Sequence, residues 1–185
     1  PSWIEPPDPQ ATNLLLGPGL AFGTGTHPTT ALCLTELSDM NLDELKIVDY
    51  GCGSGILGVA TLKLGAHHVL CVDNDPQALL ASRDNARRNG VTESALTVVL
   101  PDQVDFPMYD QKTDVVIANI LAGPLIHLSE VLLRFLKPGG TLILSGLIKS
   151  QAQSLCEHYD PAIELSIVGQ TEGWICLRGT LKSST

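Results

Sequence analysis

Asp49-Tyr-Gly-Cys-Gly-Ser-Gly55 places an acid and three alternate glycines at the end of a short apolar run, Lys46-Ile-Val-Asp-Tyr50. Glycine at 51, 53 and 55 lets a main chain approach a ligand closely and take positive φ angles. Where a strand feeds such a turn and a helix leaves it, backbone N–H groups are expected to face the crevice at the strand ends. A second acid, Asp73, closes the next apolar run, His68-Val-Leu-Cys-Val-Asp73, 18 residues beyond Gly55. A carboxylate there can accept both hydroxyls of a ribose. Turn and acid together imply a nucleoside-containing ligand, with Gly51, Gly53, Asp73 and the neighbouring Asn74 as candidate contacts and Asn74 against the base.

Two ligand classes fit a turn of this kind. Gly53-Ser-Gly-Ile-Leu-Gly58 satisfies the dinucleotide pattern G-x-G-x-x-G. A pyrophosphate on it would lie near Asp49, and like charges a few ångströms apart cost several kcal/mol at low effective dielectric. S-adenosylmethionine instead brings an ammonium and a sulfonium, which a carboxylate attracts, and its own carboxylate could use the N–H groups of the turn. The charge pattern favours the sulfonium nucleoside. A nicotinamide dinucleotide, with oxidoreductase chemistry, is the alternative.

The elements that would position these residues follow a strand–turn–helix rhythm. Pro28 suits the first position of a helix whose buried stripe is expected at Ala31, Leu32, Leu34 and Leu37. Strands are expected at residues 46–50, 68–73, 96–100, 114–119 and 141–145. Helices are expected over 56–64, 76–88, about 124–136 and 150–159, the second of them leaving through Asn89-Gly90. Two last strands, 163–168 and 174–180, have no helix between them and read as an antiparallel edge hairpin. This predicts one α/β domain: a doubly wound, mostly parallel seven-stranded sheet with helices on both faces. Four of the first nine residues are proline, so residues 1–18 read as an extended arm or linker. Residues 19–185 are the catalytic domain on this division.

Composition narrows the partners. The 185 residues carry 11 Lys and Arg against 20 Asp and Glu, a net charge of -9, which argues against a phosphate-tracking nucleic-acid surface. An acidic surface favours encounter with a basic partner. No apolar run approaches the roughly 18 residues of a membrane span. The five scattered cysteines contain no C-x-x-C pair and imply neither a metal site nor a disulfide frame, which fits a reduced, cytoplasmic setting. The chain begins at Pro1 with no leader-like segment, from which a missing upstream portion is expected.

With these residues identified, the chain resembles the class I S-adenosylmethionine methyltransferases, and closely the ribosomal protein L-eleven methyltransferase family. Asp49-Tyr-Gly-Cys-Gly-Ser-Gly-Ile-Leu57 and Val72-Asp-Asn-Asp-Pro76 carry the broad resemblance; Gly19-Leu-Ala-Phe-Gly-Thr-Gly-Thr-His-Pro-Thr-Thr30 and Ala118-Asn-Ile-Leu-Ala-Gly-Pro-Leu125 carry the narrow one. The resemblance implies a Rossmann-like class I fold and cofactor contacts at Thr30, Gly51, Asp73 and Asn119. It also implies transfer of methyl groups to lysine ε-amines and an N-terminal α-amine of a large-subunit ribosomal protein. A small recognition domain is expected ahead of this one. Asn119 is the candidate catalytic residue, with Ala122 and Gly123 leaving room for repeated methylation. Thr30 could instead merely cap its helix. Asp75 is expected to cap the helix after it, and one of Asp102, Gln103 and Asp105 could reach the adenine. His27 is expected to have a structural or lid role rather than that of a base.

Overall fold

The computed structural model describes residue 8 and residues 10–17 and 25–183. Residues 19–24 of the first glycine-rich motif lie outside the described residues, as do most of the leading prolines. Helix α1 spans Pro28–Ser38, followed by β1 (Lys46–Tyr50), α2 (Ile56–Lys63), β2 (His68–Val72), α3 (Pro76–Arg88) and β3 (Leu96–Val99). A short α4 (Phe106–Tyr109) leads to β4 (Thr113–Asn119), α5 (Ala122–His127), α6 (Ser129–Phe135) and β5 (Leu136–Ile148). Helix α7 (Ala152–Tyr159) and the strands β6 (Ser166–Thr171) and β7 (Trp174–Thr180) complete it.

The seven strands lie in the order β3-β2-β1-β4-β5-β7-β6, the first five parallel and the β6–β7 hairpin antiparallel at one edge. This is the doubly wound sheet expected from the alternating pattern. Strands β1, β2 and β4 are buried on both faces because apolar residues run through them without alternation. One core packs Val48, Leu70, Val116 and Leu144 against α5, α6 and α7; the other packs Ile47, Val69, Ile117 and Ile143 against α1, α2 and α3.

Four expectations are corrected. Helix α1 buries Thr29, Thr30, Cys33 and Leu37 rather than a stripe through Ala31 and Leu34. Its contact face turns by about one residue because Thr30 must reach the strand ends. The expected helix 124–136 begins earlier and is two helices: the Leu125 carbonyl, which a continuous helix would give to the Ser129 N–H, accepts the Tyr159 hydroxyl at 2.6 Å. Strand β5 is longer than expected, since Leu136 already pairs with Thr113 and a register shift absorbs the Pro-Gly-Gly segment. Strand β6 starts at Ser166, because a two-residue turn with positive φ at both Glu172 and Gly173 sets the hairpin register at Thr171 and Trp174. Ile163 makes an isolated bridge with Leu181 instead. No helix among the described residues is long and apolar enough to cross a membrane.

Candidate functional site

A cavity of ≈ 680 Å³ opens at the carboxyl ends of β1, β2, β4 and β5, where the strand order changes direction between β1 and β4. A doubly wound sheet leaves its crevice at that point, because crossovers on either side lead away from it. Thr30, Gly51, Gly53, Asp73, Asn74 and Asn119 all line the cavity. Residues separated by up to 89 positions in sequence thus meet around one cavity: Asn119 Nδ2 donates to Thr30 Oγ1 at 3.4 Å.

The glycine turn is built for close approach, but its amides are already committed. Gly51 N and Cys52 N both donate to the Val72 carbonyl, at 2.7 and 3.2 Å, and Gly55 N donates to Cys52 O at 2.8 Å. Gly53 N donates to Asp73 Oδ2 at 2.8 Å. The expectation that these N–H groups face the crevice is therefore corrected for Gly51, Cys52, Gly53 and Gly55: the neighbouring strand and its acid take the first three, and the turn itself takes the last. At Gly51 (φ 76°) a side chain would run into Ile120, so glycine is needed both for the left-handed turn and for the packing of the segment after β4.

Two acids give the cavity its sign. Asp73 is held on both oxygens, Oδ2 by Gly53 and Oδ1 by the Asp75 N–H at 3.0 Å, which fixes its carboxylate plane beside the turn. Asp75 caps α3 by accepting from Gln77 N at 2.9 Å, as expected. Asp49 is fully buried below the turn and accepts the Gly58 N–H at 2.9 Å. Burial pushes its carboxyl up to about 7, with the charge of Asp73 adding to the rise and the Gly58 bond opposing it. Burial and Asp73 likewise raise the phenol of Tyr50.

On the opposite wall Asn119 ends β4, paired in register with Ser145. With Nδ2 committed to Thr30, Oδ1 is the acceptor that this side chain offers. The following residue, Ile120, is pressed between Gly51 and Gly146; a Cβ at Gly146 (φ 88°) would overlap the Ile120 peptide. Gly146 lies where the β5–β7 register shifts between Leu144 and Leu147, and Ser145 Oγ bridges that gap by donating to Ile175 O at 2.9 Å.

Sequence reasoning missed several lining residues. Trp174 was assigned only to the edge hairpin, yet the antiparallel β7 begins at the end of the sheet where β4 and β5 finish, so its first residue faces the cavity. Its ring meets His27 edge-on, with centroids 5.1 Å apart. His27 caps α1, its Nδ1 3.3 Å from Thr29 N and 2.8 Å from Thr29 Oγ1, in line with a structural role. Pro101 lines the cavity, whereas Asp102, Gln103 and Asp105 do not; the Gln103 side chain accepts from Leu100 N instead. Ala122 and Gly123 also lie off the cavity wall, which Leu121, Pro124, Leu128 and Gly146 form in their place.

Comparison with known proteins agrees with this arrangement. The family model described as ribosomal protein L11 methyltransferase matches residues 1–182. The ribosomal protein L11 methyltransferase of Teredinibacter turnerae is 51% identical over 183 residues, 99% of this chain and 60% of that protein. The enzyme of the same name from Marinobacter nauticus is 55% identical over 182 residues, 98% of this chain and 60% of that protein. The chain thus spans about 60% of the length of these curated relatives. The crystal structure of a ribosomal protein L11 methylase from Lactobacillus delbrueckii subsp. bulgaricus superposes with a TM-score of 0.78 at 34% identity, covering 90% of this chain and 84% of that one. Matches of this extent run through both walls of the cavity, the glycine turn with Asp73 on one side and the segment after β4 on the other, and on them the chain belongs to the ribosomal protein L11 methyltransferase family.

Proposed function

We propose that the cavity binds S-adenosyl-L-methionine and that the chain methylates lysine ε-amines and an N-terminal α-amine of ribosomal protein L11. The carrying observation is a glycine turn whose amides are spent internally while two carboxylates, Asp49 and Asp73, flank it. A pyrophosphate there would find few N–H donors and two acids. A ligand with a cationic centre finds attraction instead.

The residues fit that group one by one. Asp73 retains lone pairs beyond its two backbone bonds for ribose hydroxyls. Asn74 and Pro101 flank the base end. Asp49 lies under the cationic centre. Thr30 accepts from Asn119 and keeps its own O–H to donate to a carboxylate, at the positive end of α1. When bound, the cofactor supplies an electrophilic methyl group on sulfur.

The protein's part is to position the amine and leave it neutral. A free lysine has a pKa of ~10.4, so presenting the neutral amine near pH 7 costs roughly 4 kcal/mol. The wall formed by Ile120, Leu121, Pro124, Leu128 and Trp174 is largely apolar and lowers that requirement by disfavouring the ammonium form. Asn119 Oδ1 accepts one amine N–H and aims the lone pair, and an uncharged amide does not hold the amine protonated. Positioning of this kind supplies much of the rate in a displacement. The acceptor is a protein in the cytoplasm, and the excess of 20 acidic over 11 basic residues supports a basic protein partner without direct nucleic-acid contact.

Calorimetry of this chain with S-adenosylmethionine and, separately, with a nicotinamide dinucleotide tests the cofactor; uptake of the dinucleotide alone would overturn the reading. Mass spectrometry of L11 after incubation with the donor tests the acceptor, because each transfer adds one methyl. An unchanged mass with a donor-binding enzyme, both alone and joined to a relative's upstream portion, would reject that acceptor.

A further inference from the structure

Helix α3 turns the polar side chains of Ser82 and Asn85 inward, and its half-buried C-cap residue Asn89 follows on the same side. Ser82 and Asn85 are buried, and each holds the glycine turn. Ser82 Oγ donates to Gly53 O at 3.0 Å, and Asn85 Nδ2 donates to Ser54 O at 2.8 Å. The other end of the Asn85 amide accepts the Gly17 N–H at 2.9 Å. Asn89 grips the same incoming segment on both sides, accepting from Leu15 N at 2.8 Å and donating to Leu15 O at 2.7 Å. Between those two contacts Leu16 is buried beside Ile56 and Leu57, which line the cavity.

From this geometry we propose that Asn85 is a positioning residue for cofactor binding, joining residues 15–17 to the glycine turn so that donor affinity depends on how that segment is docked. The inference rests on the reading of the cavity as a donor site. An amide suits the position because its two ends face a backbone donor and a backbone acceptor from different segments, which fixes its orientation. Removing it takes one hydrogen bond from the buried Ser54 and one from the part-buried Gly17 N–H at once, and hydrogen bonds lost from buried groups are costly. The turn then loses one of the two α3 side chains that hold its carbonyls. Asn89 touches no residue of the turn, so any effect it has on the donor passes through residues 15–17 or through Asn85, whose carbonyl accepts the Asn89 Nδ2–H at 2.7 Å.

The test is donor affinity, measured by calorimetry with S-adenosylhomocysteine well below the melting temperature of each variant. Asn85→Ala is expected to weaken binding about tenfold and Asn89→Ala about threefold. The double variant is expected near tenfold rather than thirtyfold, because both changes release the same segment. Asn85→Asp keeps an acceptor for Gly17 but sets a carboxylate against the Ser54 carbonyl, and is expected to bind more weakly than Asn85→Ala. Ala86→Gly on the same helix, which lowers stability by roughly the Gly penalty, is expected to leave affinity within twofold. An Asn89→Ala protein that melts lower yet binds the donor within twofold of the parent would overturn the coupling, and so would a double variant equal to the product of the single effects. Failure of the unaltered chain to bind S-adenosylhomocysteine would instead sink the donor reading itself.

Discussion

The two walls of the cavity are made on opposite plans. On the β1–β2 side the polar groups of the turn are tied to one another: Gly51 and Cys52 to Val72, Gly53 to Asp73, and the Gly53 and Ser54 carbonyls to α3. On the β4–β5 side the surface is apolar and open, with Leu121 67% exposed, and its directed polar group is Asn119. A small charged ligand of fixed shape is served by dipoles that need no reorganisation on binding. An acceptor amine arriving on a protein needs room, a dry wall and one well-aimed acceptor. The exposed apolar rim suits a protein surface for the same reason.

The sharpest way to break this contrast is at Asp73. Asp73→Ala removes the proposed ribose acceptor and also releases Gly53 N and Asp75 N, so donor binding is expected to weaken by about 100-fold or more, as a calorimetric titration would show. A loss below tenfold would mean that the donor wall is not organised around this acid. Asn119→Ala tests the other wall. Turnover is expected to fall by about 100-fold and donor affinity, through loss of the bond to Thr30, by no more than about tenfold, measured as single-turnover rate against dissociation constant. Equal losses in both quantities would erase the distinction between the walls.

The donor wall was far more legible in the sequence than the acceptor wall. Gly51, Gly53 and Asp73 sit in two adjacent strand–turn–helix units, so spacing alone brings them together. Asp49 was visible as a charge but not as a buried group pushed up toward neutrality, since burial depends on strands distant in sequence. Trp174 reaches the site only because the final hairpin runs antiparallel beside β5, and Gly146 because β5 pairs with the distant β4, setting Ser145 beside Asn119. The commitment of the turn's amides was hidden for the same reason: their partners are the carbonyl and carboxylate at the end of a neighbouring strand. The stripe of α1 was displaced because a polar residue, Thr30, is buried to serve the site where an apolar pattern was sought.

Gly146 sharpens the comparison at intermediate scale. Gly146→Ala places a methyl against the Ile120 peptide in a backbone region that disfavours any side chain. Turnover is expected to fall about tenfold, with a destabilisation of roughly 1–3 kcal/mol from the strained conformation. Gly139→Ala has a comparable φ of 77° with no neighbour within 4 Å of the added methyl, and is expected to lose stability without losing rate at limiting donor or acceptor. Equal rate losses in the two variants would show that strain alone, and not the seating of Asn119 and Ile120, is responsible.

The smallest effect expected is the most specific. With its carboxyl raised to about 7, Asp49 is mostly protonated at pH 6 and about half ionised at pH 7. A donor that prefers the ionised form should bind about fivefold more tightly at pH 7 than at pH 6, by one-site titration arithmetic. Stability of the unliganded chain runs the other way: a carboxyl whose pKa rises on folding contributes fully below its ordinary value near 3.8 and loses that contribution as pH rises through 7. The free protein should therefore melt lower at pH 8 than at pH 5 from this group, while the stabilisation added by saturating donor grows over the same interval. Asp49→Asn should flatten both trends together. If the variant kept the pH dependence of binding, the proton would belong to another group, and the buried acid would be a structural feature of the turn rather than the counter-charge of the donor.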